Sequence, residues 1–243
     1  MMSTDEPREQ LTATHHAMLF AWISRAVIQR IGEEKGEMVV RKAVRRYGEQ
    51  RGRRMALRSQ ANRHALTMTN YTAYGEWEAG KGEMEQKIVE KVPHAKVLVY
   101  RCPWHKAWEK NGLIQYGRFY CLEIDEALVR GFNPELRLDV NSTQANAGTH
   151  CEFVFHSANL TVMNLLSLAY KKSIRPGKKA LMPWGYHIGH LYKTMGEVVI
   201  EELGQTGREA VSAALAEFAQ HYGEEAAQTV VSYRDTDFNN LPE

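Results

Sequence analysis

The chain has few cysteines, three in 243 residues, and none of them forms a C-x-x-C pair. That excludes a paired-cysteine zinc ribbon and gives no basis for a disulfide framework. No export signal is visible at the polar, acidic start MMSTDEPREQ, so a reduced, cytoplasmic setting is expected. Long apolar runs are missing too. The stretch Ala17 to Ile23 is far too short to cross a bilayer, and no membrane partner is expected. Charge of one sign is also lacking: 31 Lys and Arg against 29 Asp and Glu leave +2, which gives no reason to expect a nucleic-acid partner. There is no Walker loop, no G-x-G-x-x-G, no H-E-x-x-H and no G-x-S-x-G, and no cofactor is expected.

What is present is an ordinary globular balance, 44% hydrophobic and 25% charged, in a chain long enough for one large core or a core with a helical layer. Residues 1–10 read as a frayed end. A helical stripe runs through Leu19, Trp22, Ile23, Ala26 and Val27, and Gly32 and Gly36 break it. A second helix over 38–65 carries Val39, Val40, Ala43, Val44 and Tyr47. Its glycines Gly48 and Gly52 point to a kink or to a close backbone approach. Its arginine-rich run, Arg41 to Arg58, reads as a solvated face. Leu66 to Gly82 is a loop or a short helix.

Strands are expected at Met84 to Val92, Lys96 to Tyr100, Leu136 to Asn141 and Cys151 to His156. Pro103 to Gly112 and Phe119 to Gly131 read as helices between them, and Leu160 to Tyr170 as a further helical candidate. Lys171 to Pro183 is a basic connector, the rest is helical, and the last ten residues are expected to fray. The fold class is therefore α+β: a central, mostly antiparallel sheet with helices packed on it and helical hairpins at both ends. The segments are 1–83 (helical), 84–160 (the chemical block) and 161–243 (helical), together one compact domain. The two hairpins echo each other. His15, His16, Gly32, Gly36 and Tyr47 in the first answer to His187, His190, Gly204, Gly207 and Tyr222 in the second; one reading is a chance likeness of two amphipathic hairpins, the other is paired hairpins that flank the sheet and bring histidine-bearing helix starts toward it.

All three cysteines lie between Arg101 and Phe155, with Glu123 and Asp125. On one helix, Cys121 and Asp125 would sit a turn apart on the same face. A helix N-terminus and the nearby Arg118 would favour the Cys121 thiolate, while Asp125 would hold a substrate amidine or pass protons. Cys151 shares a strand face with Phe153 and Phe155, and Cys102 stands ahead of Pro103; packing is the competing use of each cysteine. His187 and His190, three apart, share a helix face and are candidates for proton transfer or a metal pair. His15, His16, His64, His94 and His221 read as surface or packing residues. Trp104, Tyr120, Asn133 and Trp184 are the substrate-contact candidates.

The succession RCP, C-x-x-x-D in YCLEID, GFNP and G-x-x-C-x-F in GTHCEF resembles the L-2-amino-thiazoline-4-carboxylic acid hydrolase-like family over about residues 90–160. The resemblance implies a hydrolase that opens a small cyclic amidine, cyclic amide or thiazoline ring at a C–N or C–S bond. Cys121 would be the nucleophile, assisted by Asp125, His187 or His190, with Cys151 as a neighbour. A metal-dependent variant would use zinc or another divalent ion on Cys121, Asp125 and Cys151. The block is more distantly similar to the 4-vinyl reductase-like ligand-binding domain, whose sensor versions hold zinc on cysteines and an acid. The loop Asn141 to Gly148 has neither Cys nor Glu and departs from that pattern. A non-catalytic small-ligand-binding or sensory module is thus the other reading. The expected partner is a small-molecule substrate, and the amphipathic ends leave faces for a homo-oligomer.

Overall fold

The computed structural model describes residues 11–173 and 177–242. The N-terminal ten residues and part of the Lys171–Pro183 connector lie outside the described residues. Helix α1 (Ala13–Ile31) starts at Thr12, whose backbone N–H donates to His15 Nδ1 at 3.1 Å. It ends at Gly32, whose φ of +84° is a left-handed value suited to glycine. Helix α2 (Glu33–Ala61) begins at once, so Gly32 alone makes the turn. Gly36 is inside α2, where a Cβ would meet Ile28 Cγ1 at 2.7 Å. The second hairpin repeats the device. Helices α8 (Trp184–Leu203) and α9 (Gln205–Tyr222) are separated only by Gly204, with φ +56°.

The two hairpins pack on each other, α1 against α9 and α2 against α8, around a core of Leu19, Ile23, Val40, Val44, Leu191 and Val198. A short last helix, α10 (Glu224–Val231), closes the bundle. The sheet is antiparallel throughout, in the order β1-β2-β4-β3. Its strands are β1 (Glu85–Glu90), β2 (Ala95–Arg101), β3 (Leu138–Ser142) and β4 (Cys151–Phe155). Helix α3 (Met68–Ala73) precedes the sheet, and α7 (Val162–Ser173) follows it. A smaller cluster joins Met68, Val129, Ala95 and Leu138 to the half-buried Phe153 and Phe155. The fold is α+β, as the pattern of elements implied.

Between β2 and β3 the chain forms three short helices, α4 (Pro103–Lys110), α5 (Ile114–Cys121) and α6 (Ile124–Phe132). The single helix expected over Phe119 to Gly131 is therefore two, broken at Leu122 and Glu123. Glu123 accepts ion pairs from Arg41 and Arg45 of α2, at 2.6 and 2.8 Å, and this ties the break to the long helix.

Helix α6 lies almost in backbone contact with α2. A Cβ on Gly52 would stand 2.1 Å from the Leu128 carbonyl oxygen, and one on Gly131 would stand 2.2 Å from the Glu49 carbonyl oxygen. Of the two uses read for Gly48 and Gly52, close approach is the one realised at both, with Gly48 facing Ala127 and Ile124. Gly52→Ala is accordingly expected to lower stability by about 2 kcal/mol or more, because backbone rather than a flexible side chain must move. A urea midpoint equal to that of the parent protein would contradict this.

The expectation that the C-terminal ten residues fray is overturned as far as Phe238. Phe238 is buried, and its carbonyl accepts a 2.6 Å hydrogen bond from Arg54 Nη1. A single aromatic anchor in a polar segment has no periodicity by which it could be recognised.

Candidate active site

The Arg41–Arg58 run is only partly a solvated face. Arg51, Arg54 and Arg58 are buried, whereas Arg53 is exposed. The buried three continue the stripe Val40, Val44 and Tyr47 at alternating spacings of four and three, which places them on the core side of α2. Their shared counter-ion is Glu76, fully buried in the segment between α3 and β1. Arg54 binds it through both arms, Nε to Oε1 at 2.9 Å and Nη2 to Oε2 at 2.7 Å, and Arg58 Nη1 reaches Oε1 at 2.5 Å. Burial opposes ionising Glu76, but Arg54, Arg51 and Arg58 outweigh it and hold the carboxyl at about 2. The Glu76 backbone carbonyl accepts from Met182 N–H and from His187 Nε2–H, so α8 is fastened to the same point.

The histidines around this cluster are neutral. Trp104 Nε1–H donates to His16 Nδ1 at 3.0 Å, so His16 carries its proton on Nε2 and donates to the Tyr47 hydroxyl at 2.9 Å. Burial, then the charge of Arg51, push the His16 pKa well down. His16 was expected at the surface or as simple packing, yet it links α1, α2 and α4. His190 has both nitrogens committed. Nδ1 accepts from Arg54 Nη2 at 3.3 Å, and Nε2 donates to Gln50 Oε1 at 2.8 Å. It is thereby tied to the cluster through Arg54 and to α2 through Gln50. His187 donates through Nε2, its Nδ1 is buried without a partner, and burial followed by Arg51 lowers its pKa to about 3.

Next to the cluster lie the residues the sequence singled out. Cys121 is the last residue of α5 rather than an early residue of a helix, and the dipole of α5 disfavours a thiolate there. Arg118 gives it no help, because its guanidinium pairs with Glu33 at 3.1 Å and lies over the Phe119 ring. Burial raises the Cys121 thiol well above its usual range, and Cys102, Asp125 and Cys151 add to that. The cysteine at a helix N-terminus is Cys102, the N-cap of α4. Burial still takes its thiol to about 11, against the pull of the His105 and Trp104 N–H groups. Cys151 begins β4, accepts the Gln144 N–H at 3.4 Å, and is also raised by burial.

Asp125, the second residue of α6, is half-buried and has no hydrogen-bond or ion-pair partner among the described residues. Burial lifts its carboxyl to about 6, even though Arg51 pulls the other way. Cys121 is half-buried as well, so the pair is not sealed in apolar packing. Two open hollows elsewhere, one between α9 and α10 and one beside Arg46 and Arg130, are not lined by them.

Trp104, Tyr120 and Trp184 converge around His16, their ring centroids 5.7, 5.7 and 6.2 Å from the imidazole. Trp77, not singled out from sequence, joins them at 4.9 Å from Trp104. Asn133 does not join them. Its side-chain amide donates to the Leu66 carbonyl at 3.0 Å, and its Oδ1 accepts the Glu135 N–H, so it anchors a loop. Among the described residues no group of three or more His, Cys, Asp or Glu side chains is placed to hold a metal ion. Cys121, Asp125 and Cys151 feel one another's charge without forming a ligand set.

A family model for L-2-amino-thiazoline-4-carboxylic acid hydrolase matches residues 12–155, more than half of the chain. The chain belongs to that family. No curated protein and no solved structure matches it. The match to the thiazoline hydrolase family runs from the start of α1 to the end of β4. It takes in His16, Arg51, Glu76, Cys121, Asp125 and Cys151, and leaves His187 and His190 of α8 outside. No helix among the described residues is long and apolar enough to cross a membrane.

Proposed function

We propose that the protein hydrolyses a small thiazoline-type ring, in keeping with its family, and that Asp125 carries the protons. The observation that supports this most directly is the state of Asp125: an unpartnered, half-buried carboxyl raised to about 6, whose charge is felt by Cys121 and Tyr120. A carboxyl there is ionised at neutral pH, yet basic enough to take a proton and return it. In this reading Asp125 removes a proton from water as the water oxygen bonds to the ring carbon between sulfur and nitrogen. The tetrahedral adduct then collapses, a C–N or C–S bond breaks, and Asp125 gives the proton to the departing atom. One water is consumed and a carbamoyl-cysteine is formed.

The thiol route is the second reading. It is favoured by the closeness of Cys121 to Asp125, which could accept its proton. In that route sulfur bonds to the ring carbon and water later releases the adduct. The raised thiol pKa and the C-terminal position on α5 favour water as the attacking group.

The test is turnover of 2-amino-thiazoline-4-carboxylate, with the product identified by mass. Cys121→Ser is expected to retain turnover within about tenfold, because water and not sulfur attacks. A loss of roughly a thousandfold or more, with the fold intact, would give the attack to Cys121 instead. No turnover of this ring or of related cyclic amidines would remove the hydrolase reading.

A further inference from the structure

The Arg51, Arg54, Arg58 and Glu76 cluster is not balanced. Three guanidinium groups share one buried carboxylate, and His16, His187 and His190 around it are neutral. Arg54 and Arg58 are hydrogen-bonded to Glu76, but Arg51 is not. Its Nε stands 3.7 Å from Glu76 Oε2 and is a buried donor without a partner. The guanidinium carbon lies 5.6 Å from the Tyr47 ring centre, and the Tyr47 hydroxyl offers only a weak contact. Arg51 is 3% exposed, so water cannot readily replace the missing partners. A cation held in this way costs stability unless something else in the functional state pairs with it.

The surroundings indicate what that is. Arg51 acts electrostatically on Glu76 and also on Asp125, Tyr71 and Tyr120, so the cation of the ion cluster is within reach of the charge on the proposed reacting carboxyl. Glu76 is already saturated by Arg54 and Arg58. Asp125 attracts Arg51 but makes no ion pair with it. One more anionic group, paired with Arg51, is what the charge count lacks.

We infer that Arg51 is the seat of the substrate's carboxylate, the acid group pairing with the Arg51 guanidinium while the ring reaches Asp125. This deepens the hydrolase reading and rests on it for the placement of the ring, but not for the anion site. A bidentate guanidinium–carboxylate pair in a dry site both orients and selects, because a neutral analogue leaves the cation unpaired. Arg51 is thus a specificity residue that also places the ring for reaction.

The experiment compares calorimetric binding of thiazolidine-4-carboxylate, which lacks the amidine and is not turned over, with binding of its carboxamide. The unaltered protein is expected to prefer the acid on the order of 100-fold, and Arg51→Met to reduce that preference to a few-fold. The ligand-free Arg51→Met protein is expected to melt at the same temperature or higher, whereas a purely structural arginine would lower it. Arg51→Lys, which keeps the charge but not the fork, is expected to fall between the two. Equal binding of acid and amide by the unaltered protein overturns the proposal, whether or not any variant folds. So does an acid preference that survives Arg51→Met. Turnover of the amino-thiazoline acid, measured alongside, separates the two claims. Turnover with no role for Arg51 sinks only the anion seat. Arg51-dependent acid binding without turnover sinks only the hydrolase reading.

Discussion

Glu76→Ala is expected to cost about 3–5 kcal/mol of folding stability, the range for breaking a buried ion pair by removing one partner. The substitution leaves Arg51, Arg54 and Arg58 without their common anion in a region closed to water. It also loosens two distant parts of the chain, since Arg54 holds the Phe238 carbonyl and the Glu76 segment holds His187 of α8. Glu76→Gln keeps an acceptor oxygen and should lose less. The same group makes a pH prediction. Its folded pKa, about 2, lies below the unfolded value, so its contribution is complete above about pH 4.5 and disappears as pH falls toward 2. The amount is on the order of 3 kcal/mol. Denaturant midpoints between pH 2 and 7, for the parent and for Glu76→Gln, measure this directly. A variant whose stability runs parallel to the parent's over that range would refute the assignment.

Asp125→Asn is expected to reduce kcat by roughly 10²–10⁴, the usual contribution of a positioned acid–base group, while the protein remains folded. In the parent, kcat/KM should rise with pH through about 6 as the carboxyl ionises. The stability effect has the sign opposite to that of Glu76. The folded pKa of Asp125 is raised, so the native state binds the proton more tightly and loses stability as pH climbs from about 4 to 6. Above that window Asp125→Asn should therefore be the more stable protein, by on the order of 1–2 kcal/mol once solvent screening of a half-buried group is allowed for. A variant that is both active and less stable would mean that Asp125 is a structural residue.

The elements were mostly legible because they rest on local periodicity. Alternation marked the strands, for example Cys151, Phe153 and Phe155 on one face, and β4 is indeed half inside. The i, i+3, i+4 stripe marked α1, and the glycines marked both hairpin turns. The break between α5 and α6 was missed because nothing at Leu122 or Glu123 forbids helix. It is imposed at a distance, by Arg41 and Arg45 pulling on Glu123. Buried Arg51, Arg54 and Arg58 were misjudged because an arginine's default is solvent. Their spacing continued the apolar stripe of Val40, Val44 and Tyr47, and that was the available signal. His190 was a reasonable candidate by type and spacing, but a histidine's role depends on whether its two nitrogens are already occupied.

The order of residues by itself determined the α+β class, the antiparallel strands, the hairpin turns and membership of the hydrolase family, because each rests on neighbours in the chain or on short motifs. Only the tertiary structure decided which charges are buried and which of three arginines makes no hydrogen bond to their shared carboxylate. Those are properties of dielectric and of contacts between segments as far apart as Arg54 and Phe238. No local pattern encodes them, since the energy of a charge depends on what the folded chain places around it.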